Sequence, residues 1–346
     1  MFSRLIGNSE VKESLRRALE NNRLASSLLF TGDEGIGKKS FALEVAKALN
    51  CRNRQGVEAC DECPSCKRIS RSTFPPFGRD EDDKNRLIWS EHPDVAMVRP
   101  YKQIIRVGPV RELEREANFR PFEGSARIFI IEDADHMNDN AANALLKTLE
   151  EPEPTSRLTL TSSNPMGLPA TIRSRCQAIR FAPIPASEIA ELLITRHGIA
   201  PADAALLARV SRGSAGRALA TDVDTYRERR DAMLSVLTLV SIDNDRVRLL
   251  RSAEDLAASA DRDEYEQNLD ILEALIRDAW GLALGRPKDT VVNSDVIKQL
   301  EKIASELKSK QAESWLSHIE EVRAALEVNV NRRIATDALV LGMAAA

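Results

Sequence analysis

The sequence predicts an α/β domain of the P-loop type that is followed by a helical region. Three observations indicate this fold. A glycine-rich segment, Gly32 to Lys38, lies between an apolar run and a helical pattern. Strand and helix patterns then alternate as far as about residue 183. Beyond that point the strand pattern ends, and apolar residues such as Trp315, Ile319, Val322 and Leu326 recur only at helical spacing.

The composition limits the class of protein. A chain of 346 residues can hold two or three domains that each bury a core. The first ten residues have no apolar core of signal-peptide length, and no run of eighteen or more apolar residues occurs, so we expect a cytoplasmic protein with no membrane span. The net charge of −4 and the aromatic content of 4% disfavour nucleic-acid binding by the molecule as a whole.

Two helices and a strand are predicted around the glycine segment. Residues 9–20 carry apolar side chains on one helical face, with Ser9 as the cap. The apolar run from Leu28 to Phe30 then predicts a buried strand. A second helix is expected to begin at the end of the glycine segment, because Phe41 and Val45 start a new helical pattern there.

The next elements repeat this pattern. Residues 128–131 predict a short buried strand, followed by a helix that begins after its cap Asn138 and ends before Pro152. Residues 158–161 predict the next strand. The alternation indicates a parallel sheet with helices on both faces. Between the second predicted helix and the strand over residues 128–131, residues 72–86 combine a double proline with a dense charge run. We interpret this segment as a mobile insertion.

The glycine segment fits the phosphate-loop pattern G-x-x-x-x-G-K through Gly32, Gly35, Gly37 and Lys38. Glycines let backbone N–H groups close around phosphates, and the lysine reaches the terminal phosphates. The next position normally supplies a hydroxyl to Mg²⁺, but here it is Lys39. The nearest hydroxyl, Ser40, is rotated by about 100° around the helix. The sequence therefore predicts a phosphate loop that has lost a metal ligand.

Two acidic residues, Glu132 and Asp133, follow the strand over residues 128–131. The carboxyl ends of strands are where open α/β sheets bind ligands and where a magnesium carboxylate is expected. The usual order in this position is Asp then Glu, and here it is reversed. Two solvated acids that end a strand are an equally acceptable interpretation.

Four of the five cysteines, Cys51, Cys60, Cys63 and Cys66, lie within one short segment. In a reducing compartment thiols at such spacing favour a metal over a disulfide, and four of them can surround a tetrahedral Zn²⁺ with no position left for water. We therefore predict a structural zinc site. A redox or disulfide role is the alternative. The nearest histidine, His92, is interpreted as a surface residue.

Two further segments present arginines. Arg173 and Arg175 flank Ser174 in a segment predicted as a short helix and its end, and Arg217 lies in the first turn of another helix. An arginine at a helix N-terminus opposes the helix dipole, so it is often kept for an anion. A solvated or ion-paired surface side chain is the alternative for all three.

These motifs, together with the runs Asn143 to Pro152, Ser174 to Cys176 and Val328 to Arg332, resemble the bacterial clamp-loader subunits of the AAA+ class, most closely the delta-prime subunits of DNA polymerase III. The resemblance implies a nucleotide-binding-type domain over 1–182 with a zinc module at 51–66. It further implies a helical lid over 183–225 and a helical collar over 226–346 that joins the chain to gamma/tau and delta subunits in a hetero-pentamer. Such a loader places a sliding clamp on primed DNA.

The same resemblance implies roles for individual residues. Arg175 would be an arginine finger that acts in trans on the ATP site of a neighbouring subunit. Ser162, with Ser163, would stand at the polar sensor position, and Arg217 at the sensor arginine of the lid. Delta-prime subunits commonly have degenerate nucleotide sites, which leaves binding of ATP and Mg²⁺ in doubt here. We expect the chain to have no ATPase activity of its own.

Two alternatives remain at this point. The first is an active ATPase of the gamma/tau type, in which Ser40 or water replaces the missing ligand. The second is a zinc-dependent scaffold that binds nucleic acid through the basic residues around the cysteines, namely Arg52, Arg54, Lys67, Arg68 and Arg71.

Overall fold

The computed structural model describes residues 2–54, 56–71, 74, 86–243, 246–258, 262–327 and 330–345. The predicted mobile insertion over 72–86 lies outside the described residues except at its positions 74 and 86, so it stays a prediction. The contacts within the chain define two compact units, Met1–Gly198 with Ser211–Ala218 and Ile199–Val210 with Leu219–Ala346. Each unit is described separately below.

The first unit contains a six-stranded sheet in the order β2-β3-β4-β5-β1-β6. Five neighbouring strands are parallel, as the sequence predicts. The two-residue edge strand β2 departs from that prediction, because it pairs antiparallel with β3. The strands are β1 (Ser27–Thr31), β2 (Ile88–Trp89), β3 (Val95–Val98), β4 (Arg127–Ile131), β5 (Ser156–Ser162) and β6 (Gln177–Arg180).

The strand order brings the predicted site residues to one edge of the sheet. β1 lies between β5 and β6, and β5 also pairs with β4. In the parallel β1–β5 register Thr31 is opposite Ser162, so both strands end side by side. The segments that follow β1, β4 and β5 therefore start from the same edge, where open parallel sheets bind ligands.

Helices cover both faces of this sheet. Leu29 packs into a buried cluster with Val110 and Leu145, which lie on the fourth and fifth helices. Side chains alternate across a strand, so Phe30 points to the opposite face, where its ring contacts Phe181. The helices of this part of the chain are α1 (Ser9–Glu20), α2 (Lys38–Asn50), α3 (Pro64–Ser70), α4 (Val107–Ala117), α5 (Asp139–Glu150), α6 (Ala170–Arg173) and α7 (Ala186–His197).

Two helix starts test the predicted caps. The side chain of Asn138 accepts a hydrogen bond from the N–H of Ala141 at 2.9 Å, so this cap is confirmed. The predicted cap Ser9 is wrong by one position, because α1 begins at Ser9 and Asn8 precedes it. Asn8 adopts φ 50°, and its side chain is engaged in hydrogen bonds with the backbone of Ala182.

The second unit consists of helices joined by turns and loops, with no strand among its described residues. Its core surrounds Trp315, whose indole N–H donates to the carbonyl of Met343 at 2.8 Å. The helical face predicted from Trp315, Ile319, Val322 and Leu326 is buried, which confirms that prediction. The remaining helices of the chain are α8 (Pro201–Val210), α9 (Ala215–Ala220), α10 (Val223–Thr238), α11 (Arg246–Ala257), α12 (Arg262–Ala283), α13 (Ile297–Glu306), α14 (Ser309–Glu327) and α15 (Arg332–Ala345), with a π-helical turn at Leu239–Asp243.

The predicted division into a domain over 1–182, a lid over 183–225 and a collar over 226–346 stays a prediction. Within the described part of the chain, no helix has both the length and the apolar character that a membrane span needs.

Candidate phosphate loop and metal centre

The phosphate loop joins β1 to α2, as its motif requires. α2 begins at Lys38, directly after Gly37, which adopts a positive φ of 105°. The side chain of Lys38 turns back onto the loop, where its ammonium group donates to the carbonyls of Gly32 and, at 2.8 Å, Asp33. Only 6% of Lys38 is exposed, and this burial lowers its pKa against the opposing influence of Asp133. Carbonyl groups of the loop therefore accept the hydrogen bonds of the loop's own lysine.

The helix start that carries Arg217 packs directly on the phosphate loop. The N–H of Gly216 donates to the carbonyl of Gly35 at 2.8 Å, and the hydroxyl of Ser214 donates to the carbonyl of Glu34 at 2.8 Å. Gly35 has a positive φ of 70°, and a Cβ there would lie 2.5 Å from the hydroxyl oxygen of Ser214 and 3.1 Å from the backbone nitrogen of Arg217, which favours glycine. Arg217 is the third residue of α9, and its backbone is therefore beside the loop.

The predicted strand-end residues meet at the same edge. Glu132 and Asp133 follow β4, and the N–H of Asp133 donates to the hydroxyl of Thr161 in β5 at 3.1 Å. Burial and the neighbouring Glu132 raise the pKa of Asp133. Ser162 ends β5 and is fully buried, and its hydroxyl has no hydrogen-bond partner among the described residues.

Lys39 makes a contact that the sequence did not predict. Its ammonium nitrogen lies 3.1 Å from a carboxylate oxygen of Glu132, 93 positions along the chain. The same nitrogen lies 5.8 Å from the ring centroid of Phe74. Ser40 is exposed, in agreement with the expectation that it points away from the loop. The ion pair therefore links the first turn of α2 to the end of β4.

The four predicted cysteine ligands come together in the structure. Their sulfur atoms all lie within 4.8 Å of one another. The sulfur of Cys51 is 3.5 Å from that of Cys60 and 4.0 Å from that of Cys63. Four sulfurs around a tetrahedral zinc at about 2.3 Å are about 3.8 Å apart, so the spacing fits this metal. The cluster could hold one metal ion.

Backbone N–H groups stabilise negative charge on these sulfurs. Cys60 donates to the sulfur of Cys51 at 3.3 Å, Cys63 to that of Cys60 at 3.3 Å, and Cys66 to that of Cys63 at 3.5 Å. Burial opposes ionisation of Cys63, but hydrogen bonds from the backbone of Cys66 and Arg52 outweigh it and lower the pKa of Cys63 to about 6. For Cys66, burial and the neighbouring thiols raise the pKa.

A buried polar network joins the cysteine segment to residues 122–126. The side-chain oxygen of Asn50 accepts from the N–H groups of Ser125 and Ala126 at 2.9 Å and 3.0 Å. The carboxylate of Asp94 accepts three backbone N–H groups, those of Phe122, Glu123 and Gly124.

His92 belongs to this network, so the interpretation of it as a surface residue is wrong. It is fully buried, and its Nδ1 accepts from the N–H of Asp94, which leaves the hydrogen on Nε2. Nε2 lies 2.9 Å from the hydroxyl of Ser65 and 3.0 Å from a carboxylate oxygen of Glu123. No pattern in the sequence pointed to these partners.

We expect His92 to make the folded state sensitive to acid. Burial lowers its pKa, partly offset by Glu123 and Asp94. The unfolded chain, with a histidine pKa near about 6.5, therefore takes up a proton that the folded chain does not. The contribution of the neutral His92 to the free energy of unfolding is complete above that pH and declines as the pH falls below it. Urea unfolding of His92→Gln should accordingly lose less free energy between about pH 7.5 and 5.5 than the wild type loses.

A matched control for this titration is His197→Gln, which changes an exposed histidine at the end of α7. It should retain the full pH dependence of the wild type. If His92→Gln and the wild type lost the same free energy over that interval, another group would be responsible.

Arg175 is held at the surface just after α6. Ile172 and the half-buried Cys176 anchor the chain on either side of it. Its guanidinium donates to the carbonyl of Thr171 at 2.9 Å and pairs with a carboxylate oxygen of Glu150 at 2.6 Å, with about a third of the side chain, 34%, exposed. The side chain is therefore fixed in position while part of it stays accessible.

The parallel sheet, the glycine loop at its edge and the four-cysteine cluster define a P-loop-type α/β protein with a candidate metal centre. A family model described as "DNA polymerase III, delta subunit" matches residues 7–185, just over half of the 346 residues. A second, described as "DNA polymerase III, delta subunit, C terminal", matches residues 228–343. The chain therefore belongs to the DNA polymerase III delta subunit family.

Curated relatives agree with this assignment. The chain is 27% identical to the DNA polymerase III subunit delta' of Bacillus subtilis over 96% of its own length and 94% of the relative. It is 28% identical to the subunit delta' of Escherichia coli over 95% and 92%. It is 30% identical to the DNA polymerase III subunit tau/gamma of Haemophilus influenzae, but over only 62% of this chain and 29% of that relative.

Proposed function

We propose that this chain is a delta-prime-like stator subunit of a bacterial DNA polymerase III clamp loader. In the cytoplasm it would join gamma/tau and delta subunits in a hetero-pentamer and help to load a sliding clamp onto primed DNA. The observation that carries the proposal is the similarity to two delta-prime subunits, which covers nearly the full length of this chain and of each relative. The tau/gamma similarity is restricted to part of the chain and less than a third of the relative.

We further propose that Arg175 supplies the arginine finger for the ATP site of a neighbouring subunit. An arginine finger must be exposed yet preorganised, because a guanidinium already held in place loses less freedom when it meets a phosphate. The bonds from Arg175 to Thr171 and Glu150 support this role, since they fix the guanidinium while a third of the side chain stays exposed.

A gamma/tau-type ATPase is the competing function. The glycines and the backbone of the loop support it, because they keep the shape of a phosphate cradle. Lys39 opposes it, since the side chain that should supply a hydroxyl to the metal instead pairs with Glu132. We therefore favour a subunit that does not hydrolyse ATP.

For the four cysteines we propose a structural zinc. The sulfur spacing fits tetrahedral coordination at about 2.3 Å, and the backbone N–H groups favour thiolates, which are the form that binds zinc. When bound, such a zinc would cross-link the segment 51–66. All four positions are filled by protein, so this metal would have no open position for a substrate.

The nucleic-acid scaffold finds less support. Of the basic residues around the cysteines, Arg52 and Arg68 both pair with Glu123, which neutralises part of the charge that phosphates would need. The remaining basic residues of this short segment, Arg54, Lys67 and Arg71, would contribute little to nucleic-acid binding by this chain alone.

The test of the proposed function is reconstitution. The full chain is mixed with purified gamma/tau and delta subunits, and the mass of the product is measured by size-exclusion chromatography with light scattering. A pentamer that contains this chain, with no ATP turnover by the chain alone, supports the proposal. Failure to enter any complex would overturn it. Magnesium-dependent turnover by the isolated chain would instead establish the ATPase function.

A further inference from the structure

The position after the phosphate-loop lysine is occupied by a side chain of the wrong chemistry for magnesium. Mg²⁺ demands near-octahedral oxygen ligands at about 2.0 to 2.1 Å. Lys39 brings a cation in place of a hydroxyl oxygen, and its ammonium nitrogen is 3.1 Å from Glu132, a carboxylate at the end of β4 where a magnesium ligand is expected. A second cation beside this ammonium group would be repelled. The residues present therefore do not fit Mg²⁺.

The Lys39–Glu132 ion pair also reduces the repulsion between acidic residues at the end of β4. Three acidic residues, Glu132, Asp133 and Asp135, follow β4 within four positions. Burial and Glu132 already raise the pKa of Asp133, which shows that negative charge is disfavoured at this edge. Like charges in a partly buried position need a counter-ion.

Lys39 is positioned to act as this counter-ion. Lys39 lies in the first turn of α2, so its backbone is fixed by the helix, and its ammonium group lies 5.8 Å from the ring centroid of the buried Phe74. A cation near an aromatic ring and a carboxylate is attracted to both. Lys38 opposes the rise in the pKa of Asp133, but its ammonium group donates to two loop carbonyls, whereas that of Lys39 lies within hydrogen-bond distance of Glu132.

We propose that Lys39 is an internal cation that takes the place of Mg²⁺ in this phosphate loop. Glu132 is neutralised by a side chain of the same polypeptide, so the first unit reaches its folded state without a divalent ion at this edge. This inference concerns the chain's own loop and does not depend on Arg175 or on assembly with other subunits.

The experiment uses Lys39→Thr, which removes the internal cation and restores a hydroxyl at the expected position. Mn²⁺ is the probe, because its binding is read directly from its electron paramagnetic resonance signal. The full-length protein is purified with Zn²⁺ present so that the cysteines are filled. We expect Lys39→Thr to bind about one equivalent of Mn²⁺ at this site, about tenfold or more tightly than the wild type binds it.

A second readout is thermal unfolding with and without Mg²⁺ at constant ionic strength. The midpoint of Lys39→Thr should be lower than that of the wild type without Mg²⁺ or chelator, so that zinc stays bound, and should rise with millimolar Mg²⁺, whereas the wild type should not respond. If Lys39→Thr does not fold, Lys39→Met preserves the apolar stem and should still bind Mn²⁺ more tightly than the wild type.

Two controls make the result specific. Lys39→Thr combined with Glu132→Gln should lose the Mn²⁺ gain, because the carboxylate that Lys39 neutralises is then absent. Lys298→Thr, which removes an exposed lysine of α13, should behave as the wild type. Equal Mn²⁺ affinity of the wild type and Lys39→Thr, or a gain that survives Glu132→Gln, would overturn the proposal and leave the proposed function untouched.

Discussion

Arg175→Ala is expected to lower ATP turnover about 10³-fold or more at the neighbouring site that this arginine serves, in a loader reconstituted with its partner subunits. An arginine finger stabilises the charge that develops on the transferred phosphoryl group, and its removal raises the barrier by roughly 4 to 7 kcal/mol. The chain itself should fold and assemble normally, because the side chain is partly exposed and its anchors Ile172 and Cys176 are unchanged.

The measurement is DNA-stimulated ATP hydrolysis at saturating ATP, alongside light scattering to show that the complex is intact. Arg173→Ala is the matched control, since it removes a neighbouring arginine that contacts Met166 instead of Glu150. Arg175→Lys separates charge from geometry: it keeps the cation but not the planar fork, so it should recover only a small part of the turnover. Unchanged turnover in Arg175→Ala would show that this arginine is not the finger.

Cys60→Ser is expected to abolish metal binding by the four-cysteine cluster. Protein purified without added zinc should contain about one equivalent of zinc, and the variant should contain none. Because binding of a structural zinc is coupled to folding, the variant should also lose more than about 4 kcal/mol of unfolding free energy.

Elemental analysis and urea unfolding provide these two measurements. Cys176→Ser is the appropriate control: Cys176 is the one cysteine of the five outside the cluster, and this variant should keep its zinc. A well-folded wild-type protein that contains no metal after purification would contradict the assignment, and so would zinc retained by Cys60→Ser.

The sequence analysis predicted β1, β4 and β5 but not β3, although Val95–Val98 is also an apolar and fully buried run. β1 and β4 are continuous apolar runs, and their bounds agree with the prediction to within one residue at each end. β6 was not predicted, because Gln177–Arg180 carries mostly exposed side chains and contains no apolar run. It is a strand because its backbone pairs with β1, from Leu28 opposite Gln177 onward. Such pairing depends on a distant segment that no local pattern reveals.

The candidate site divides in the same way. The cysteine cluster and the phosphate loop were predictable because their ligands or backbone groups are close together in sequence. The network around His92 and the Lys39–Glu132 ion pair were not, since each joins segments that only the folded sheet brings together. The sequence shows that Lys39 stands where a hydroxyl residue is expected. It does not show that Lys39 pairs with Glu132, because the strand order of the sheet brings the two residues together.

The hydrogen bonds of Asn50 and Ser65 also determine how the cysteine segment can be handled in protein engineering. One of these residues precedes Cys51, the other lies between Cys63 and Cys66, and the hydroxyl of Ser65 donates to the carbonyl of Asn50 at 2.8 Å. Asn50 in turn binds the residues that lead into β4. The segment is therefore part of the framework of the sheet and not an appended cassette. Excising it, or grafting it onto another host, would require these contacts to be rebuilt.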